Sequence, residues 1–418
     1  MGRRRGSLEA LDVSARCRGC DAPLTTTFVD LGSSPPSNAY LRPEDLGGAE
    51  RWYPLHAWVC DRCFLVQLEA YQEPLEIFGD YAYFSSYSDS WLAHVRSYAE
   101  RMTGELNLDA SSLVVELASN DGYLLQPFAQ RGVGVLGVEP AANVAAVAVE
   151  RGIPTVAEFF GVALAERLRA QGREPALVVG NNVLAHVPDL HDFVGGVAIL
   201  IGERGLATFE FPHVQTLIER VEFDTIYHEH FSYFSLLALE PVFARHGLAI
   251  IDVDELPTHG GSLRVHVRRQ GGTPSGRVAA VLARERSAGL DRIETYTAFA
   301  QAVAACKRAA LTFLLDARAA GKRVVGYGAP AKGNTFLTYC GIRGDLVAFT
   351  VDRNPVKQGT YLPGSRIPVY APDRIFAEKP DYVMILPWNI ADEVMEQMSG
   401  IHAWGGRFVT AVPTTRIH

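Results

Sequence analysis

The sequence predicts an α/β protein of three domains: a small cysteine-bearing module at the amino terminus, then two Rossmann-like halves. Three observations carry that expectation. Four of the six cysteines fall before residue 70 as two C-x-x-C pairs. From about residue 85 to 255 strand-like apolar runs alternate with helical ones, and the alternation resumes after about 256. A strand that breaks into a polar or Gly-rich turn and then a helix start occurs twice, as LVVELASNDGYLL from Leu113 and as RVVGYGAPAKGNTFL from Arg323.

The boundaries that follow are 1–72, 73–256 and 257–418, with the turn-flanked strand-like stretch 258–277 as a hinge between the last two. At 418 residues the chain exceeds what one ordinary core holds, and 48% hydrophobic with 21% charged residues is the balance of a folded soluble chain. No apolar run reaches the length of a bilayer span before Gly, Pro or charge interrupts it, so no membrane partner is expected. A net charge of −8 argues against nucleic acid, whose phosphates require a basic face. The opening MGRRRGSLEALD has arginines but no apolar run behind them, which suggests a cytoplasmic start. No long heptad pattern forces an oligomer; the oligomeric state is open and a monomer is admissible.

Cys17 and Cys20, with Cys60 and Cys63, make two knuckles that can each turn two thiolates toward one ion. Four sulfurs close a tetrahedral zinc shell with no open position, so the site is structural. His56 could replace a ligand but is more simply packed.

In the first strand–turn–helix unit the run Glu116-Leu-Ala118-Ser-Asn120-Asp121-Gly122 stands where an open α/β sheet binds its ligand. Glu116, Ala118 and Asp121 occupy positions where a dinucleotide fingerprint needs glycines. An acid at the strand end suits a zwitterionic amino-acid moiety better than a diphosphate. Seventeen residues past Gly122, Glu139 ends the next strand and is placed to accept both ribose hydroxyls of an adenosine. The pairing favours S-adenosylmethionine over NADP. A third strand runs into Asn181-Asn182-Val-Leu-Ala-His186-Val-Pro-Asp189. In order and spacing, E-x-A-x-N-x-G, G-V-E-P and N-N-V-L-A-H-V-P-D resemble the class I methyltransferases. That resemblance implies that Glu116, Ala118, Asn120, Gly122 and Glu139 hold the cofactor, with Asn181 or Asn182 near its adenosine or methionine part.

Further on, Ile226-Tyr227-His228-Glu229-His230-Phe231-Ser232-Tyr233 packs six ionisable or hydroxyl side chains into eight positions. H-E-H is not the H-E-x-x-H of a zinc protease helix. An extended segment would place Tyr227 with Glu229 on one face and His228 with His230 on the other. A helical one would pair Tyr227 with His230. Methyl transfer to carbon needs a base to generate a carbanion equivalent, and beside a ketone an imidazole suffices when donors stabilise the enolate oxygen.

Together with the two knuckles, D-Y-A-Y-F-S-S-Y from Asp80, N-N-V-L-A-H, H-G-G-S-L-R-V and G-Y-G-A-P-A-K-G-N-T, this run resembles the deoxysugar C-3 methyltransferases, which include the enzymes of D-tetronitrose, mycarose and vancosamine biosynthesis. The resemblance spans nearly the entire chain. It implies His230 as the base at sugar C-3, Tyr227 and Glu229 as positioning or hydrogen-bonding groups, and His186 and Tyr81 lining the same pocket. His228 reads as structural.

The late Gly-rich turn, from Gly326 through Gly328 and Lys332 to Asn334, offers backbone N–H groups to a phosphate. Asp352, twenty-four residues past Gly328, mimics a ribose-binding acid. The third glycine in register is missing, so the expectation is a vestigial Rossmann domain that binds the substrate's nucleotide diphosphate through Lys332 and Asn334, with Arg264 as a further candidate. The function expected is C-3 methylation of a dTDP-linked 4-keto-deoxysugar in antibiotic biosynthesis. An O- or N-methyltransferase, an NAD-dependent sugar oxidoreductase and a catalytically dead zinc-bearing scaffold are the rivals. Whether C-3 carries an amine or a hydroxyl is left open.

Overall fold

The computed structural model describes residues 15–78, 89–269 and 272–418. Tyr81 and the whole run from Asp80 to Tyr87 lie outside them. Three sheets organise the rest.

The first is antiparallel, in the order Thr26–Ser34, Tyr53–Val59, Val66–Leu68, Ser232–Tyr233. Its last strand comes from far along the chain: Val66 pairs with Tyr233 and Gln67 with Ser232. The histidine-rich segment is therefore anchored at its end on the zinc-binding module.

The second sheet has seven strands, in the order Leu248–Leu256, Ser262–Arg269, Leu206–Pro212, Leu177–Asn181, Leu113–Leu117, Gly134–Val138, Thr155–Val156. The last five run parallel and the first two antiparallel to their neighbours. Leu113–Leu117 and Leu177–Asn181 are apolar runs with almost no exposed position, because helices cover both faces. Asp189 caps the apolar helix Leu190–Ile201 by accepting from the Asp192 amide at 2.9 Å. The stretch expected as a hinge is corrected here. Ser262–Arg269 pairs on both sides within this sheet, so it is one of its strands and not a hinge.

The third sheet runs Val369–Tyr370, Thr350–Val351, Val324–Tyr327, Tyr382–Ile385, Arg407–Thr410, Arg416–Ile417, parallel except for the last strand. Its domain shares a hydrophobic core with the amino-terminal module. Phe28 stacks on Phe299 with ring centroids 4.5 Å apart.

The helical run Ile293–Ala319 is long and apolar enough, by length and composition, to cross a membrane. In the fold Phe299, Val303, Cys306, Ala310, Leu314 and Ala317 form one buried stripe at helical spacing, and this stripe belongs to the shared core.

Candidate functional site

The two cysteine knuckles are built alike. In the first, the Cys17 amide donates to the Ala22 carbonyl and the Asp21 amide to the Cys17 carbonyl; in the second, Cys60 and Phe64 repeat the pattern with Leu65 and Cys60. Asp21 and Phe64, each one residue past the second cysteine, take left-handed φ of 61° and 59° to close the turn. Cys17 and Cys63 Sγ lie 3.5 Å apart, as do Cys20 and Cys60, and all four fall within 4.8 Å of one another. A tetrahedron with Zn–S of about 2.3 Å has sulfur edges of about 3.8 Å, so the set fits zinc closely. Gln67 Nε2 donates to Cys17 Sγ at 3.2 Å, an outer contact that fixes the ligand. His56 stacks on Trp58 and bonds Thr27 Oγ1 at 2.9 Å, and no ligand role is needed for it.

At the carboxyl ends of the parallel strands, the loop after Leu113–Leu117 folds tightly. Ala118, Asn120 and Gly122 have φ of 53°, 49° and 77°. Glu139 pins this loop: one oxygen accepts the Asn120 amide and the other the Ala141 amide, both at 2.9 Å. The acid expected to meet ribose hydroxyls is thus first a loop clamp, with a second lone pair left on each oxygen. Around it, buried polar atoms lack protein partners: Glu116 Oε2, both amide atoms of Asn181 and Asn182 Oδ1. Burial, followed by the charges of Glu139 and Asp121, pushes the Glu116 carboxyl well above the ordinary range.

The histidine segment is a turn, neither of the two forms considered from sequence. The His230 amide donates to the Tyr227 carbonyl at 2.9 Å, bringing the two rings to 4.1 Å between centroids. His186 lies on another side of His230, centroids 4.7 Å apart and nearly edge-on. The Phe231 amide donates to the Ala185 carbonyl at 2.6 Å, which joins the two histidine loops. His230 Nδ1 donates to the Thr225 carbonyl at 2.8 Å. That bond fixes the tautomer and leaves the Nε2 lone pair as the basic atom. Burial and the neighbouring His186 hold the His230 pKa well below the usual value, so the ring is neutral near pH 7; burial pushes His186 down to about 4. Glu229 is buried, and its Oε1 accepts from Asn38 Nδ2 of the zinc-binding module at 2.6 Å. His228 points away, bonding the Pro54 carbonyl at 3.1 Å.

The carboxy-terminal domain contributes Lys332, whose Nζ donates to Asn389 Oδ1 at 2.8 Å and sits 4.5 Å over the Trp388 ring. Burial lowers its pKa, opposed by Asp224 and Glu222. Asn334 is turned inward, donating to the Ser37 carbonyl at 2.6 Å, and is 2% exposed, so it is in no position to meet a phosphate. Of the expected phosphate cradle, the turn itself has no free donor; the helix-start amides of Ala331, Lys332 and Gly333 are its remaining N–H groups. The Gly328 amide is spent on the Val351 carbonyl and the Ala329 amide on Asp352 Oδ2, and Pro330 has no N–H to offer. Arg264, expected on the diphosphate, lies directly across from Glu210 on the paired strand and bonds its Oε2 at 2.5 Å. It is stacked 4.3 Å over Tyr98, and its charge is already neutralised in the second sheet.

Sequence reasoning missed His259. This residue has φ of 54°, precedes two glycines of positive φ and bonds Asn182 Nδ2 at 3.2 Å, tying the turn before Ser262–Arg269 to the end of Leu177–Asn181. The run T-H-G-G was its signal, read only as a turn. Also missed were Glu222 and Asp224, buried carboxyls raised to about 7 and about 6, chiefly by burial.

Three family profiles match in succession: a zinc binding domain over residues 17–78, a methyltransferase domain over 91–253 and a C-methyltransferase C-terminal domain over 257–413. The C-methyltransferase NovU of Streptomyces niveus is 38% identical over 403 residues, which cover 96% of this chain and 96% of that one. The chain belongs to this C-methyltransferase family. Among solved structures, magnesium protoporphyrin IX methyltransferase from Synechocystis PCC 6803 with bound SAM is 16% identical, covering 43% of this chain and 79% of its own, with TM-score 0.33. The CcbJ methyltransferase of Streptomyces caelestis is 14% identical, covering 42% and 90%, with TM-score 0.33.

The C-methyltransferase uses S-adenosylmethionine and carries a structural zinc. Its residues fit both. The four sulfurs match a closed zinc shell. The unpartnered Oε2 of Glu116 and the amide of Asn181 are the groups that a ligand bearing an ammonium and hydrogen-bonding atoms would satisfy.

Proposed function

We propose that this C-methyltransferase methylates C-3 of a dTDP-linked 4-keto-deoxysugar in antibiotic biosynthesis, with His230 as the base that forms the enolate. One observation supports the reading above others: His230 is part-buried, neutral and held by Thr225 in the tautomer that presents Nε2, with the rings of Tyr227 and His186 packed against it. The sugar class rests on the resemblance of the Y-H-E-H-F-S-Y and neighbouring motifs.

In this scheme Nε2 takes the C-3 proton. The resulting imidazolium lies beside the enolate, and each charge stabilises the other in a site from which water is excluded. Tyr227 hydrogen-bonds the sugar and Glu229, held by Asn38, orients it. His186 keeps the His230 ring from rotating. Tyr81 keeps its sequence-based role as a pocket residue. Lys332, half-buried over Trp388, is a cation available to the diphosphate. When bound, S-adenosylmethionine supplies an electrophilic methyl group to the carbanion that these residues generate.

The test is incubation with S-adenosylmethionine and a panel of dTDP-4-keto-deoxysugars in deuterated buffer, read by mass spectrometry. Methyl gain with deuterium uptake into unreacted substrate is expected, and both should fall about 10²–10⁴-fold in His230→Ala. Methyl gain without exchange would move the assignment to an O- or N-methyltransferase.

A further inference from the structure

Between Cys17 and Cys20 stands an arginine whose side chain does not stay in the zinc module. Arg18 Nε donates to the Pro188 carbonyl at 3.2 Å, Nη2 to the Leu68 carbonyl at 2.9 Å and Nη1 to the Phe231 carbonyl. Its guanidinium also lies 5.5 Å from the centroid of the Phe231 ring. Pro188 is two residues past His186, and Phe231 follows His230. One rigid cation therefore spans the backs of both histidine loops and uses donors on three of its edges, which a lysine cannot reproduce.

The root of this side chain is fixed by the metal site. The Arg18 amide donates to Gln67 Oε1 at 2.9 Å, and the same Gln67 donates to Cys17 Sγ. His191 Nε2 bonds the Gly19 carbonyl at 3.1 Å from the methyltransferase side. Metal ligand, Gln67, Arg18 and the histidine loops form one connected set.

We propose that Arg18 is a positioning residue for the His186–His230 pair, so that the zinc site, though closed and structural, sets the geometry of the catalytic base. The proposal rests on the reading of His230 as base. It never touches substrate or cofactor. Its effect runs through the Pro188 and Phe231 carbonyls, and a loosened loop also admits water to His230.

The test compares Arg18→Ala and Arg18→Lys with His230→Ala in the full zinc-loaded chain. Zinc content should stay at one per chain in both Arg18 variants. Turnover and C-3 deuterium exchange should fall together by about 10–100-fold, with KM for S-adenosylmethionine within about twofold. Arg18→Lys should not rescue. Hydrogen exchange should speed up in 184–189 and 225–233 but not in the strands Leu113–Leu117 and Gly134–Val138. The acid limb of the kcat/KM profile should move up toward the ordinary histidine range as water reaches the ring. If Arg18→Ala turns over within twofold of the parent while His230→Ala is inactive, the positioning role is overturned and the base assignment stands. If Arg18→Ala loses zinc and unfolds while Arg18→Lys keeps full turnover, the guanidinium geometry is irrelevant and the proposal fails. Steady turnover by His230→Ala would remove the base assignment and this proposal together.

Discussion

The two Rossmann-like halves use one device and put it to different ends. In each, an acid at the end of the second strand clamps the turn after the first. Glu139 accepts the amides of Asn120 and Ala141; Asp352 accepts those of Ala329 and Asn354 at 2.7 and 2.8 Å. Strand register makes the halves comparable position by position. Glu116 faces Gly137, two residues before Glu139, just as Gly326 faces Thr350, two residues before Asp352. On the other neighbour Glu116 faces Val179, two before Asn181, and Gly326 faces Met384, two before Leu386. The positions of Glu116 and Asn181 are thus occupied by a glycine and a buried leucine in the second half. The first half leaves polar atoms unmet and the second satisfies its turn internally, with Pro387 filling the space a side chain at Gly328 would need. Shared topology does not confer shared binding; the unmet polar groups do.

The largest effect expected from breaking that contrast is at Glu116. Glu116→Gln removes the acid that an ammonium would meet but keeps the volume, and S-adenosylmethionine affinity should fall by about 100-fold by titration calorimetry. The melting temperature should hold or rise, because the carboxyl is buried among like charges and its charged form is disfavoured. Unchanged affinity would show that the unmet carboxyl is not a cofactor group.

A middle effect belongs to the second clamp. Asp352→Asn keeps one acceptor oxygen but loses the charge-assisted bonds to the turn amides, at a cost of about 1–2 kcal/mol. The melting temperature should drop by a few degrees while S-adenosylmethionine affinity stays within twofold. If affinity for S-adenosylmethionine falls tenfold instead, the second half has a cofactor role that its register does not indicate.

What the sequence disclosed follows from how local each signal is. The knuckles need only C-x-x-C spacing, so the metal cluster is readable, and the tight turn after Leu113–Leu117 needs only a strand followed by a polar run ending in Gly122. Arg264 was misjudged because its partner Glu210 is a neighbour only through antiparallel pairing, fifty-four residues away. The Ser262–Arg269 strand looked like a hinge because turn formers flank it, whereas sheet membership is decided by the strand beside it. In the Gly-rich turn, pattern cannot show that Val351 and Asp352 take the Gly328 and Ala329 amides and leave only those of the helix start. Arg18 carried no pattern at all; its three carbonyl partners come from distant segments.

The smallest effect is a fraction of a proton, and it bears on the same contrast. Free of ligand, Glu116 has a pKa raised well above the ordinary carboxyl value by burial and by Glu139 and Asp121. A bound ammonium beside it favours the charged form and lowers that pKa, so binding must release a proton wherever the free carboxyl is still protonated. Affinity then rises with pH between the bound and the free pKa and becomes flat above the free value. Calorimetric titrations of S-adenosylmethionine at a series of pH values, in phosphate and in a buffer of high ionisation enthalpy, should differ in apparent heat wherever the free carboxyl is protonated, and the difference should vanish in Glu116→Gln. Equal heats in the parent protein would mean that Glu116 does not change its protonation on binding. The acid at that register position would then be a structural group, no closer to the cofactor than Gly326 is to a nucleotide in the second half.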